Sequence, residues 1–315
     1  KDILWTVPNS FVASANCGLY CGAEVDFVDI DPHSWNISID SLKMKLEKAR
    51  KIKKIPKILV SVHLGGNPTD QEKIYKLSKK YGFKIIEDAS HSIGAKNNKE
   101  FIGSCKWSDI TIFSFHPVKI ITTGEGGVAT TNDEKIYKRL DLFRTHGITK
   151  NASDFIYKDT KYWSYEQQEL GFNYRMTDLQ AALGRSQLQK LDKFINKRNL
   201  IAKRYYDLLH GMPIKFQKIN KKAISSFHLF IIRIEKSVNI SHEDLFTKLR
   251  KRNIMVNLHY SPIHLHPYYR RLGYKKGMFI ESEEYADSAI SLPIFPKLSI
   301  KDQKFVAKSI KEILH

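Results

Sequence analysis

Short continuous apolar runs alternate with segments of helical spacing along the first half of the chain. Val25-Asp26-Phe27-Val28-Asp29-Ile30 is largely apolar and β-branched and stops at Asp31-Pro32, which predicts a strand. Asp40 or Ser41 then caps an expected helix running to about Lys51, with Leu42 and Leu46 on one face. Ile58 to Val62 is a second apolar run and ends at the loop signal Gly65-Gly66-Asn67-Pro68. A helix from Thr69 to Tyr81, capped by Thr69 or Asp70, precedes a third strand, Phe83 to Asp88. Ile110 to Phe115 and Gly127 to Thr131 read as a fourth and fifth strand, and Asp133 to Leu142 as a helix.

The second half has a different rhythm. Ile148 to Phe172 is polar and rich in aromatic residues. Thr177-Asp178-Leu179-Gln180 has the form of a capping box and opens an expected long helix, about Asp178 to Leu209. Gly211-Met212-Pro213 ends it. Beyond that lie expected strands at Phe227 to Ile234 and Ile254 to Tyr260, and expected helices at Ser241 to Lys251, Ser282 to Ala289 and Ser299 to Leu314. The expected organisation is a large domain over residues 1–211, including the long connecting helix, and a smaller α/β domain over residues 212–315.

Apolar strands alternating with amphipathic helices predict a mostly parallel sheet covered by helices on both faces. Ligands of such sheets bind at the carboxyl ends of the strands. Asp88 stands at one such end. Ser114 and Lys119 stand at or just beyond another, so one rim is expected to carry an acid, a hydroxyl and an amine.

Composition changes this picture little. The net charge of +19 could serve nucleic acid or an acidic ligand, but the lysines are scattered along helical segments, which favours a solvated surface. No zinc-finger, RRM-like or basic-helix pattern accompanies the charge, so no nucleic-acid partner is expected. No apolar run is long enough to span a bilayer, and none is expected to meet a membrane. Cys17, Cys21 and Cys105 are odd in number and lack redox or zinc spacing, which argues for a reducing cytoplasm and no metal.

An amine, a carboxylate and a hydroxyl on one rim are the groups that pyridoxal phosphate requires. Lys119 supplies an amine for its aldehyde, and Asp88 a carboxylate that keeps the pyridine nitrogen protonated. Ser114 supplies a phosphate donor, and Phe11 a flat cover for the ring. Taken singly, Asp88 is equally a cap for the Ala89-Ser90-His91 turn and Ser114 an ordinary strand-end hydroxyl. Phe11 alone reads as core, and Gly124-Glu125-Gly126-Gly127 alone as a turn.

Five stretches taken together resemble the DegT/StrS-type nucleotide-sugar aminotransferases. They are Asp88 to Ala95, Ser114 to Lys119, Thr122 to Gly127, Arg144-Thr145-His146-Gly147, and Gly171 to Ala182. His259-Tyr260-Ser261-Pro262 and Ser291-Leu292-Pro293 extend the resemblance over essentially the whole chain. It implies the fold-type I architecture of pyridoxal-phosphate enzymes. It also implies roles: Lys119 as the lysine that bonds the cofactor and moves the proton, and Asp88 on the pyridine nitrogen. His91 would lie near the phenolic oxygen, Ser114 on the phosphate and Phe11 over the ring. Asn173 would reach the phosphate of a neighbouring subunit's cofactor, which implies a homodimer with shared sites. His146, Tyr260 and the segment containing Tyr165 would border the sugar nucleotide.

Two longer stretches, His116 to Gly127 and Tyr165 to Asp178, are most similar to the pseudaminic-acid branch of the family. That branch implies transfer of an amino group from L-glutamate to C4 of a UDP-linked 4-keto-6-deoxy-N-acetylhexosamine. Related members use GDP-, dTDP- or other UDP-linked keto sugars. Family members also carry a region of several dozen residues ahead of the stretch starting at Lys1, with a phosphate loop at a helix N-terminus. Its absence here leads to the expectation of an N-terminally incomplete chain that binds cofactor weakly alone. Three competing readings remain. A dehydratase is disfavoured because those relatives carry histidine in place of Lys119. A regulatory protein is disfavoured by the intact Asp88, Ser114, Lys119 and Asn173 set. A nucleic-acid binder rests on charge alone and would show salt-sensitive retention on DNA.

Overall fold

The computed structural model describes residues 1–157 and 161–314. Its centre is a six-stranded sheet of β1 (Ile3–Thr6), β2 (Glu24–Phe27), β3 (Ile58–Val62), β4 (Lys84–Asp88), β5 (Ile110–Ser114) and β6 (Gly127–Thr130). The spatial order is β2-β1-β3-β4-β5-β6. The first five strands run parallel and β6 is antiparallel to β5. Strand β1 and the helix after it, α1 (Ala13–Tyr20), lie in the opening stretch to which the sequence pattern assigned no element.

Helices α2 (Ile39–Lys51) and α3 (Gln71–Tyr81) make the crossovers that parallel neighbours require. Leu42, Leu46 and Ala49 of α2 and Ile74 and Leu77 of α3 face the sheet. The cap of α2 is Ser38, not Asp40 or Ser41, because its backbone is extended and its hydroxyl accepts the Ser41 N–H at 3.1 Å. Asp70 caps α3, and Gly82 at φ +83° ends it.

Both faces of the sheet are covered on the β1 to β4 side. Trp5, Leu59 and Ile85 join Trp35, Leu42, Leu46 and Ile74 on one face. Their strand neighbours Leu4 and Val60 join Phe27, Ile263, Tyr269 and Phe279 on the other. Alternate residues of a strand point to opposite faces, so a strand buried on both faces must be apolar throughout.

A three-stranded antiparallel sheet follows, made of β7 (Ile214–Phe216), β8 (Phe230–Ile234) and β9 (Ala289–Leu292) in that spatial order. Strand β9 takes the place expected for a strand at Ile254 to Tyr260. That segment makes only the bridge from Asn257 to Ser291, because Asn257 breaks its apolar run, whereas all four residues of β9 are buried. The long helix expected from Asp178 divides into α5 (Asp178–Leu188) and α6 (Leu191–Leu208). The apolar residues of α6, Ile201, Ala202 and Tyr205, enter the core of the smaller sheet with Phe230, Ile232, Leu245 and Ile290. None of α5 is buried, so the two helices answer to different surroundings.

Candidate active site

The sheet register brings the predicted acid and hydroxyl to one rim. Val62 lies beside Asp88, and Asp88 beside Ile112, two residues before Ser114. Asp88 is 8% exposed. Its Oδ2 accepts the Ser14 hydroxyl at 2.6 Å and its Oδ1 the Ser90 N–H at 3.1 Å. It therefore makes the turn-capping contact and also belongs to a site. Ser10 and Ser14, one helical turn apart, pair at 2.9 Å, so α1 and the stretch before it brace the carboxylate. This serine pair was missed in the sequence, although its i, i+4 spacing next to Phe11 was a usable signal.

Lys119 follows the turn after β5, its N–H bonded to the His116 carbonyl at 2.9 Å. Burial pushes its ammonium below the ordinary lysine range, and the opposing charge of Asp88 limits the fall. The amine and the carboxylate thus share one electrostatic environment. Among the described residues the Ser114 oxygen accepts only the His116 N–H, at 3.4 Å, which leaves its proton free to donate.

Three imidazoles surround this pair. His91 lies 4.5 Å from His228, ring centre to ring centre. Burial, then His228, Lys119 and His259, hold His91 well below the ordinary imidazole range. Burial, then the positive charges of Lys119 and Arg198, lower His228 likewise. Burial, then Lys119, push His259 down to about 4. His228 Nδ1 is buried and without a hydrogen-bond partner among the described residues. Neither His228 nor His259 was given a role in the sequence, because only the packing of the second sheet and its connections carries them to the rim. Tyr260 joins the group through His91 Nε2, 3.1 Å from its oxygen, and packs 6.2 Å from the Phe11 ring. Phe11 itself is 60% exposed.

A second buried network lies behind Asp88. Thr69 N–H donates to His63 Nδ1 at 3.0 Å, so His63 donates from Nε2 to Glu87, 2.8 Å away. Burial pushes Glu87 up, but bonds from His63, Ser108 and Thr111 outweigh it, and the net direction is down. His63 N–H also bonds the Asp88 carbonyl at 3.2 Å, which ties this network to the site's strand.

His146, Tyr165 and Asn173 lie outside this cluster, making no side-chain hydrogen bond to its members among the described residues. All three are exposed. Arg144 to Gly147 and Gly171 to Tyr174 are nonetheless zipped together. His146 N–H bonds the Phe172 carbonyl and Phe172 N–H the Phe143 carbonyl, both at 2.7 Å. Gly147 sits at φ +70°, and a Cβ there would meet the Glu169 carbonyl oxygen at 1.9 Å. The two motifs read as separate signals in the sequence are one rigid corner.

A family model for the DegT/DnrJ/EryC1/StrS aminotransferases matches residues 1–311. The chain belongs to this aminotransferase family. It is 35% identical over 316 residues to a UDP-4-amino-4,6-dideoxy-N-acetyl-beta-L-altrosamine transaminase of Campylobacter jejuni, covering all of this chain and 80% of that one. Among solved structures, Helicobacter pylori PseC, an aminotransferase of pseudaminic-acid biosynthesis, superposes with a TM-score of 0.89 at 29% identity, covering 99% of this chain and 80% of that one. A sugar aminotransferase of Streptococcus pneumoniae, solved in its PLP form, gives 0.86 at 26% identity over 99% of this chain and 80% of that one. The fold-type I architecture expected from the sequence is therefore the architecture of this aminotransferase, and pyridoxal phosphate is its family's cofactor. The residues present fit that group: a buried carboxylate, an amine depressed by burial, a free hydroxyl and an unpartnered buried imidazole nitrogen share one rim. Among the described residues no helix is long and apolar enough to cross a membrane.

Proposed function

We propose that this aminotransferase moves an amino group from L-glutamate to C4 of a UDP-linked 4-keto-6-deoxy-N-acetylhexosamine. The names of the Campylobacter and Helicobacter relatives support the sugar and the nucleotide. The observation that carries the chemistry is a half-buried Lys119, depressed by burial, that feels the charge of the braced Asp88 carboxylate.

When bound, pyridoxal phosphate supplies an aldehyde that takes up amino groups and a ring that withdraws electrons. Lys119 would bond that aldehyde at rest. Once free, its depressed amine spends more time neutral and can take a proton from the amino donor's α-carbon. It then returns a proton to the sugar's C4. Asp88 would hold a proton on the ring nitrogen, fixed by the Ser14 and Ser90 donors. Ser114 would donate to the phosphate. Phe11, exposed beside Tyr260, would cover the ring. His91 would lie near the ring oxygen.

Asn173 is read as serving a second subunit's cofactor, and His146, Tyr165 and Tyr260 as bordering the sugar nucleotide. The exposure of β6, α4 (Glu134–Arg144) and α5 supports a homodimer, because no residue of either helix is buried. Leu179 is 85% exposed there, an apolar surface that a second copy would cover.

Replacing Lys119 by Ala should abolish the cofactor's covalent absorbance and lower turnover with glutamate and the UDP-keto sugar by at least about 10³-fold. Retained absorbance with undiminished turnover would falsify the role given to Lys119. Activity with GDP- or dTDP-linked keto sugars but not the UDP-linked one would overturn the substrate while leaving the chemistry intact.

A further inference from the structure

The proton positions of one pair at the rim can be assigned. Gly65 N–H donates to His91 Nδ1 at 3.3 Å, so that nitrogen presents its lone pair. A neutral imidazole carries a single N–H, which must then sit on Nε2. His91 Nε2 lies 3.1 Å from the Tyr260 oxygen. The ring therefore donates and the phenol accepts. Tyr260 makes no other side-chain hydrogen bond among the described residues, so its own O–H is left over.

Both partners are held from behind. Gly66, at φ +95°, packs so closely that a Cβ there would lie 2.3 Å from Ser226 Oγ. The same Ser226 hydroxyl donates to the His91 carbonyl at 2.6 Å, and Ser226 N–H to the Gly66 carbonyl at 3.1 Å. Gly65 and His91 thus meet as parts of one clamped corner. On the other side, the Tyr285 hydroxyl donates to the His259 carbonyl at 2.6 Å, and His259 Nδ1 pairs with Ser291 Oγ at 2.8 Å. The charged and titratable groups facing the pair are Asp88, Lys119, His228 and His259. Burial, then the neighbouring His228 and Lys119, disfavour a second proton on His91, so the neutral tautomer persists.

We propose that Tyr260, held as an acceptor by His91, donates its own O–H to the ring oxygen that pyridoxal phosphate carries beside its aldehyde carbon. This rests on the reading of Lys119 and Asp88 as the residues that hold that cofactor. A donor aimed at a ring oxygen favours its deprotonated form, because the hydrogen bond to the charged state is the stronger one. His91 acts as the positioning residue and Tyr260 as the group that touches the cofactor.

The histidine tautomer is read first, by nitrogen NMR on ¹⁵N-histidine-labelled, cofactor-free protein, with the His91 signal assigned by its loss in His91→Gln. The Nε2–H form is expected, and an Nδ1–H form overturns the assignment. This measurement uses the unaltered protein and holds whether or not any Tyr260 variant folds. In cofactor-loaded Tyr260→Phe the midpoint of the absorbance-versus-pH curve is expected to rise by about one unit, a tenfold change in proton affinity. An unchanged midpoint, with the loss appearing instead as a raised KM for the sugar nucleotide, overturns donation to the cofactor. Failure of the unaltered protein to take up the cofactor at all would instead sink the reading of Lys119 and Asp88.

Discussion

The two sides of the central sheet are finished differently. In β1, β3 and β4 the apolar residues are covered on both faces, and Leu59 and Ile85 are fully buried. At the β5 and β6 side, three of the four residues of β6 are exposed and neither α4 nor α5 buries a residue. The same apolar run therefore means two things. On one side it is a core already filled, and on the other a surface that wants a partner. The candidate site lies where the two conditions meet, with Asp88 on the covered side and Ser114 and Lys119 on the open one.

The largest expected effect tests the covered side. Leu59→Ala should lower unfolding stability by about 2–5 kcal/mol, since a fully buried leucine leaves a cavity. Denaturant titration measures this, and a loss under about 1 kcal/mol would show that the covered side is looser than its burial implies.

Next comes the rigid corner of the open side. Gly147→Ala should destabilise by about 1–3 kcal/mol, because the new Cβ collides with the Glu169 carbonyl at a positive φ. Proteolysis between residues 144 and 174 should quicken accordingly. Unaltered cleavage would mean that exposure, and not the zipped backbone, governs this corner.

Acid should weaken the imidazole cluster at the boundary. His259 has its folded value pushed to about 4 from an ordinary 6.5. Its contribution is full above pH 6.5 and is lost as pH falls through the window down to about 4, because there the unfolded chain binds a proton that the folded chain refuses. His91 and His228 shift in the same direction. The denaturant midpoint should fall across that window, and His259→Gln should flatten the slope. An identical slope in the variant would remove His259 from the account.

The smallest stability effect belongs to the open face. Leu183→Ala should change subunit stability by no more than about 0.5 kcal/mol, as expected of a surface position. Leu179→Glu with Leu183→Glu should nevertheless shift sedimentation toward the monomer. A double variant that sediments unchanged would separate this face from self-association.

The legibility of the fold followed the same division. Strands β3, β4 and β5 were readable within a residue or so, because each is a short, mostly apolar run bounded by loop signals. Asp88, Ser114 and Lys119 could be placed on one rim because parallel strands must end together. The break between α5 and α6 and the substitution of β9 for Ile254 to Tyr260 were not readable. An apolar stripe does not say which neighbour it will meet. His228 and His259 were given no role for the same reason: His228 reads as part of an apolar strand, and the motif around His259 drew attention to Tyr260 instead.

By itself, then, the sequence determined the parallel sheet, its family and the three polar groups of its rim, because each depends on local periodicity and chain order. The tertiary structure decided which imidazoles lose their protons and which hydroxyl His91 holds. It also decided which apolar residues are core and which are surface. Those outcomes depend on burial and on charges brought near from distant parts of the chain, and desolvation acts only once the chain has folded around the group.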